Sequence, residues 1–159
     1  MTPWTAWPEE ERSLFNPAFL AAVLAFCAKG YFEQTGRSLP LPLAVVGVVL
    51  ALTPSFRSEK PKSTRTVLSA WINEHPDHRI RLSQRAPFFV DAVRQAVLFG
   101  CRYGALRVDQ DASLVAGTFK KSKINEDVMA ILKTADFVGR WFGMTGAPST
   151  VMALWGVTL

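Results

Sequence analysis

At 159 residues the chain has the length of one domain with a real core, and its 49% hydrophobic and 19% charged shares are greasy for a free-standing monomer, which fits either a partner-covered surface or a large core. Eighteen Lys and Arg against thirteen Asp and Glu give a net charge of +5, which favours contact with phosphate or an acidic surface and says nothing about fold. Cys27 and Cys101 both sit in apolar helical contexts, so two free, buried thiols are expected; they exclude a disulfide framework and suit a reducing, cytoplasmic setting.

Residues 1–13 read as an irregular arm. MTPWTAWPEEER is acidic and lacks the basic flank and apolar core of a secretory signal. Trp4 and Trp7 are placed to anchor the arm on the body of the protein or on a partner. In Leu14-Phe15-Asn16-Pro17-Ala18-Phe19, Asn16 is a favourable N-cap and Pro17 suits the first helical position, where a missing N–H costs nothing. Phe15 and Leu20 are spaced for a hydrophobic staple, and the helix is expected to run to about Lys29 and stop at Gly30.

The longest apolar run, Leu39–Leu52 (LPLPLAVVGVVLAL), carries no charge. Spanning a bilayer takes about 20 apolar residues. This run has fourteen, with prolines at its front and Thr53-Pro54 behind it, so it reads as a buried core helix. From Ser55 to Thr66 the composition turns basic: Arg57, Lys60, Lys62 and Arg65 are offset only by Glu59. A solvated loop is expected there, with Ser63 capping a helix that places Val67, Leu68, Trp71 and Ile72 on one face and ends before Pro76. A short helix from about Asp77 to Gln84 follows. A long one then starts near Ala86-Pro87, with Phe89, Val93, Ala96, Val97 and Gly100 on a stripe and Asp91, Arg94 and Gln95 opposite.

Gly104 ends that helix, and Ala105–Val108 and Ser113–Ala116 read as a hairpin. Lys120, Lys121 and Lys123 come next. A last strong helix, about Asn125 to Phe142, turns Val128, Ile131, Leu132, Ala135 and Val138 inward, and the tail adds one short helix. The order implies a single, mainly α domain with a small β-hairpin, a winged helix-turn-helix-like fold; the alternative is a helical bundle decorated by the hairpin.

No catalytic constellation is visible. His75 and His78 flank Pro76-Asp77 at a helix break and are expected to be solvated, too few for a metal site. There is no phosphate-binding glycine loop and no G-x-S-x-G turn, and the carboxylates are scattered, so neither enzyme activity nor a cofactor is expected. Gly100/Gly104 and Gly139/Gly143 have a G-x-x-x-G spacing outside any membrane helix, which permits close packing or ends a helix. Lys60, Lys62 and Arg65 at a helix entrance, and Lys120, Lys121 and Lys123 after the wing, are candidates for contact with a DNA backbone; the alternative is a solvated face that keeps the protein in solution. Arg140 and Trp141, inside an aromatic cluster at a helix end, join Trp4 and Trp7 as candidate partner contacts, although Arg140 could equally satisfy helix carbonyls or pair with a buried acid.

Four segments taken together resemble a known family: Leu14–Phe19; Pro61-Lys62-Ser63-Thr64-Arg65-Thr66 with Trp71; Leu98-Phe99-Gly100-Cys101-Arg102-Tyr103-Gly104; and Gly139-Arg140-Trp141-Phe142 with Gly156-Val157. Their order and spacing are similar to those of the middle component of bacterial three-component ABC systems, the group that includes the small third subunit of Lamassu-type defence systems. Trp7-Pro8-Glu9 departs from the pattern, which has an arginine before the first Pro-Glu. The resemblance implies a non-catalytic subunit that binds an SMC/Rad50-like ATPase sensing foreign double-stranded DNA, and helps hold or release an effector, often a nuclease. It adds no catalytic residue, and the shortness of the apolar run is the ground for expecting no membrane partner.

Overall fold

The computed structural model describes residues 15–118 and 124–159, which form seven helices and three short strands. Helix α1 (Pro17–Thr35) begins where the local sequence dictates: Asn16 Oδ1 accepts from the amides of Ala18 (2.9 Å) and Phe19 (3.4 Å), and Pro17 takes the first position. Phe15, ahead of the cap, packs on Phe89 in a tilted arrangement with ring centroids 4.9 Å apart. The helix does not stop at Gly30. It continues to Thr35 and is capped by Gly36, which at φ 69° adopts the left-handed conformation and donates its amide to the Phe32 carbonyl. Gly30 is instead a contact residue against α6 (Glu126–Thr145), where a Cβ would strike the backbone oxygen of Asp136.

The uncharged stretch divides in two. Leu39–Pro40 form strand β1, and α2 (Leu41–Leu52) follows, buried at every residue from Leu43 to Leu52. Its cover comes from α1, from α6 and from α5 (Pro76–Arg102). Each large aliphatic side chain so enclosed contributes about 1.5–3 kcal/mol, which places α2 among the main apolar contributors. Among the described residues, no helix is long and apolar enough to cross a membrane.

The basic segment opens as a helix, α3 (Pro54–Glu59), because Phe56 is fully buried and fixes that turn to the core. Ser63 caps a turn, its hydroxyl accepting from the Arg65 amide at 3.2 Å, and helix α4 (Leu68–Glu74) starts only after Val67. Leu68, Trp71 and Ile72 are buried, while Val67 is exposed. Helix α5 is one 27-residue helix rather than two, with Pro87 inside it. An interior proline costs about 3 kcal/mol. One buried stripe, Leu82, Ala86, Phe89, Val93, Ala96 and Gly100, runs through the proline position, and its packing holds both halves in register.

Strands β2 (Leu106–Val108) and β3 (Ser113–Ala116) form the expected hairpin, with Val108 opposite Leu114. The Asp109 carboxylate holds its turn by accepting from the amides of Asp111 and Ser113, each at 3.2 Å. The sheet is three-stranded, in the order β1-β3-β2, since Leu39 and Pro40 pair with Leu114 and Ser113. Pro40 is tolerated because β1 is an edge strand. Asn125 caps α6 through the Val128 amide (2.8 Å); Leu132, Ala135 and Val138 are buried, and Val128 and Ile131 are half-buried. Helix α7 (Pro148–Trp155) closes the chain. The domain is thus mainly helical with a small antiparallel sheet, and α1 lies between α5 and α6.

The two thiols are both free but differ in setting. Cys27 is buried, and desolvation, with the charge of Asp136 behind it, pushes its pKa up to about 12. Cys101, expected to be buried, is exposed on the outer side of α5.

Candidate partner and nucleic-acid interface

The basic segment is held to the core at both ends. At its start the Lys60 amide donates to the Phe56 carbonyl (2.8 Å), and the Lys60 ammonium lies 4.7 Å from the centre of the Phe137 ring. Pro61 is buried beside it. At its end the Trp141 indole N–H donates to the Thr66 carbonyl at 2.7 Å. Between these anchors Lys62 and Arg65 are exposed. Arg57 turns away from this surface, donating to the Ala51 carbonyl (2.8 Å) and so satisfying the end of α2. A cleft of about 440 Å³ opens beside the segment, with Arg65 and Thr66 on one wall and Met144, Thr150 and Leu154 on the other.

Beneath the segment lies an aromatic cluster. Trp71 meets Phe56 edge-on at 5.5 Å and Trp141 at 5.6 Å, and His75 stacks on Trp71 at 4.2 Å. Neither histidine is the solvated residue expected from a helix break. The His75 ring pairs with the Trp71 carbonyl (2.9 Å). His78 is only 5% exposed, with Nε2 2.6 Å from the Glu59 carboxylate. That hydrogen bond holds the Glu59 carboxyl below its ordinary range and ties α3 to α5. Among the described residues, no three His, Cys, Asp or Glu side chains are grouped as a metal site would need.

Two candidate partner contacts are engaged within the domain. Trp141 is fully buried, so it offers a partner no surface; its effect on the exterior passes through Thr66. Arg140 pairs with Asp136, its Nε and Nη2 both 3.1 Å from Oδ2. Burial pushes the Asp136 carboxyl above its usual range, and Arg140 opposes that push. Lys120, Lys121, Lys123, Trp4 and Trp7 lie outside the described residues. The structure therefore brings Lys60, Lys62, Arg65 and Trp141 into one place.

Sequence reasoning missed three features. The first is the His78–Glu59 pair, signalled only by Glu59 being the sole acid in a basic run. The second is Arg79, whose Nε donates to the Leu154 carbonyl (2.9 Å) while its guanidinium lies over Gly156, which accounts for a glycine there. The third is the outer face of α5, where Ile80 (53%), Phe88 (82%) and Leu98 (72%) stand exposed.

A family model described as "ABC-three component (ABC-3C) system Middle Component 3" matches residues 4–159, a span that includes all four segments on which the resemblance rests. Searches of the curated proteins and of the solved structures return no match.

Proposed function

The chain belongs to the middle component 3 family of ABC-three component systems, and from that premise we propose that it is a non-catalytic, cytoplasmic subunit bridging an SMC/Rad50-like ATPase and an effector nuclease in a Lamassu-type anti-phage or anti-plasmid complex. The family match, which spans nearly the whole chain, is the observation that carries this reading. A middle component of such a system works with partner subunits, and the exposed apolar residues of α5 are suited to being covered in an assembly. Lys62 and Arg65, presented on a segment pinned at both ends, are suited to the phosphate backbone of double-stranded DNA, where cations supply affinity without reading sequence.

The test is co-expression of the tagged chain with the products of its two flanking genes. Retention of a coiled-coil ATPase and of the effector is the expected result, and a chain that emerges alone overturns the proposal. The β2–β3 hairpin favours a second reading, a stand-alone winged-helix DNA-binding regulator. That reading requires salt-sensitive, sequence-specific binding of the isolated chain to its own promoter.

A further inference from the structure

The corner where α2 gives way to α3 gathers three guanidiniums. Arg57 Nη1 donates to the Ala51 carbonyl (2.8 Å), Arg85 Nη1 donates to Thr53 Oγ1 (3.0 Å), and Arg81 Nη1 reaches Ser55 Oγ at 3.5 Å. The Thr53 hydroxyl gives its own proton to the Val49 carbonyl (2.7 Å), so toward Arg85 it only accepts. Among the described residues, no carboxylate stands within ion-pair distance of any of the three. Glu59 feels the charge of Arg81, but its short contact is with His78. Three like charges held against Ala51–Ser55 repel one another, and the carbonyl end of α2 accounts for Arg57 alone. A guanidinium has five N–H groups. Arg81 and Arg85 each use one here, which leaves the rest of each fork for a further acceptor.

Shape decides what that acceptor is. The notch lined by Thr53, His78, Arg81 and Arg85 holds about 10 Å³, roughly the space of one water-sized group. A free nucleotide needs a pocket on the order of 300 Å³ or more, so neither a base nor a sugar finds a seat here, and an anion has to lie across the surface. Arg81 is exposed and Arg85 half-buried. They stand one helical turn, about 6 Å, apart on α5, so each can meet its own phosphate along a strand. The guanidinium fork matches phosphate oxygens with two parallel hydrogen bonds, and the Ser55 hydroxyl has a proton to add. We propose that Arg81 and Arg85, with Ser55, bind the phosphate backbone of double-stranded DNA at the α2–α3 corner. This site is distinct from Lys62 and Arg65; it rests on the DNA contact proposed above and extends that contact to α5.

The full chain by itself is the right sample, because a companion ATPase would add phosphate contacts of its own. Its affinity for a fluorescent duplex oligonucleotide is measured by anisotropy over a salt series. Arg81→Gln is expected to make the slope of log affinity against log salt shallower by about 0.9, and Arg81→Gln with Arg85→Gln by about 1.8. Arg81→Lys with Arg85→Lys keeps both charges and should keep the slope. Arg81 is exposed and its contact with Ser55 is long, so Arg81→Gln alone is decisive if loss of the Arg85–Thr53 bond unfolds the double variant. A slope unchanged in Arg81→Gln, beside a shallower one in Lys62→Glu with Arg65→Glu, overturns this site and leaves the contact of the basic segment standing. A wild-type chain without salt-sensitive binding overturns it, whatever the assembled complex binds. Loss of a companion subunit on co-purification of Arg81→Gln, with the slope unchanged, overturns it in favour of a carboxylate on that partner.

Discussion

Glu59 is the one carboxylate in a run that otherwise carries Arg57, Lys60, Lys62 and Arg65, and it faces a histidine nineteen residues away rather than a neighbouring cation. Hydrogen bonding to His78 holds its folded-state pKa below the ordinary value of 4.5. A carboxyl depressed in this way stabilises the fold fully above 4.5, and that stability is lost as the pH falls through the lower folded-state value. Glu59→Gln keeps the shape of the side chain and removes its charge. Wild-type protein should melt above the variant at neutral pH, and the two curves should converge as the pH is lowered past 4.5. A gap that held constant into strong acid would show that the charge is irrelevant to the contact. Reading single residues from sequence succeeds where partners are close along the chain. Asn16 caps amides two and three residues away, and that role is legible. His78 with Glu59, and Trp141 with Thr66 seventy-five residues away, are set only by the packing of distant helices, so the histidines look solvated and the tryptophan looks available.

The α1–α6 pairing shows the same limit between elements. Gly30 carries the sequence signal of a helix end, but the glycine is needed for close approach, and the two uses look alike until the partner helix is known. Pro87 is open to the same misreading, because propensity argues for a break while the buried stripe on both sides of it argues for continuity. The Gly139/Gly143 pair turns this distinction into a measurement. A Cβ at Gly139 would meet the Cys27 carbonyl oxygen, with the Tyr31 amide nitrogen 2.9 Å away, and backbone cannot yield without parting the helices. At Gly143 the same atom would meet Gln34 Cβ and Cγ and Thr35 Cγ2 at 2.9 Å, all on the last turn of α1, which can shift outward without parting the helices along their length. Gly139→Ala should therefore cost about 3 kcal/mol, a fall in melting temperature of roughly 6–12 °C at 2–4 °C per kcal/mol. Gly143→Ala recovers about 1 kcal/mol of helix propensity against its smaller clash and should stay within about 1 kcal/mol of wild type. Thermal melts followed by circular dichroism separate the two, and equal losses would refute a backbone contact at Gly139.

For the molecule as a whole, the greasy composition has two destinations. The uncharged 39–52 stretch is enclosed by α1, α5 and α6 of its own chain, and this much of the core was legible from its length and lack of charge. The third strand was not, because two residues of a proline-containing run give no strand signal until β3 is there to pair with them. Part of the rest is exposed, and Ile80, Phe88 and Leu98 of that part lie on α5. The basic segment is carried instead by α3 and by the loop that Trp141 pins. The proposed partner surface and the proposed phosphate surface at Lys62 and Arg65 are therefore built from different elements, and they should separate by mutation. Lys62→Glu with Arg65→Glu alters two exposed side chains and leaves the Trp141–Thr66 hydrogen bond in place, so the fold and co-purification with the companion subunits should be unchanged. DNA binding by the assembled complex should weaken alike on all sequences. The slope of log affinity against log salt should become shallower by about 0.9 for each phosphate no longer neutralised, or about 1.8 for the pair. A slope that does not move places the phosphate-binding cations elsewhere in the assembly, and loss of the companion subunits would mean that the segment serves protein rather than DNA.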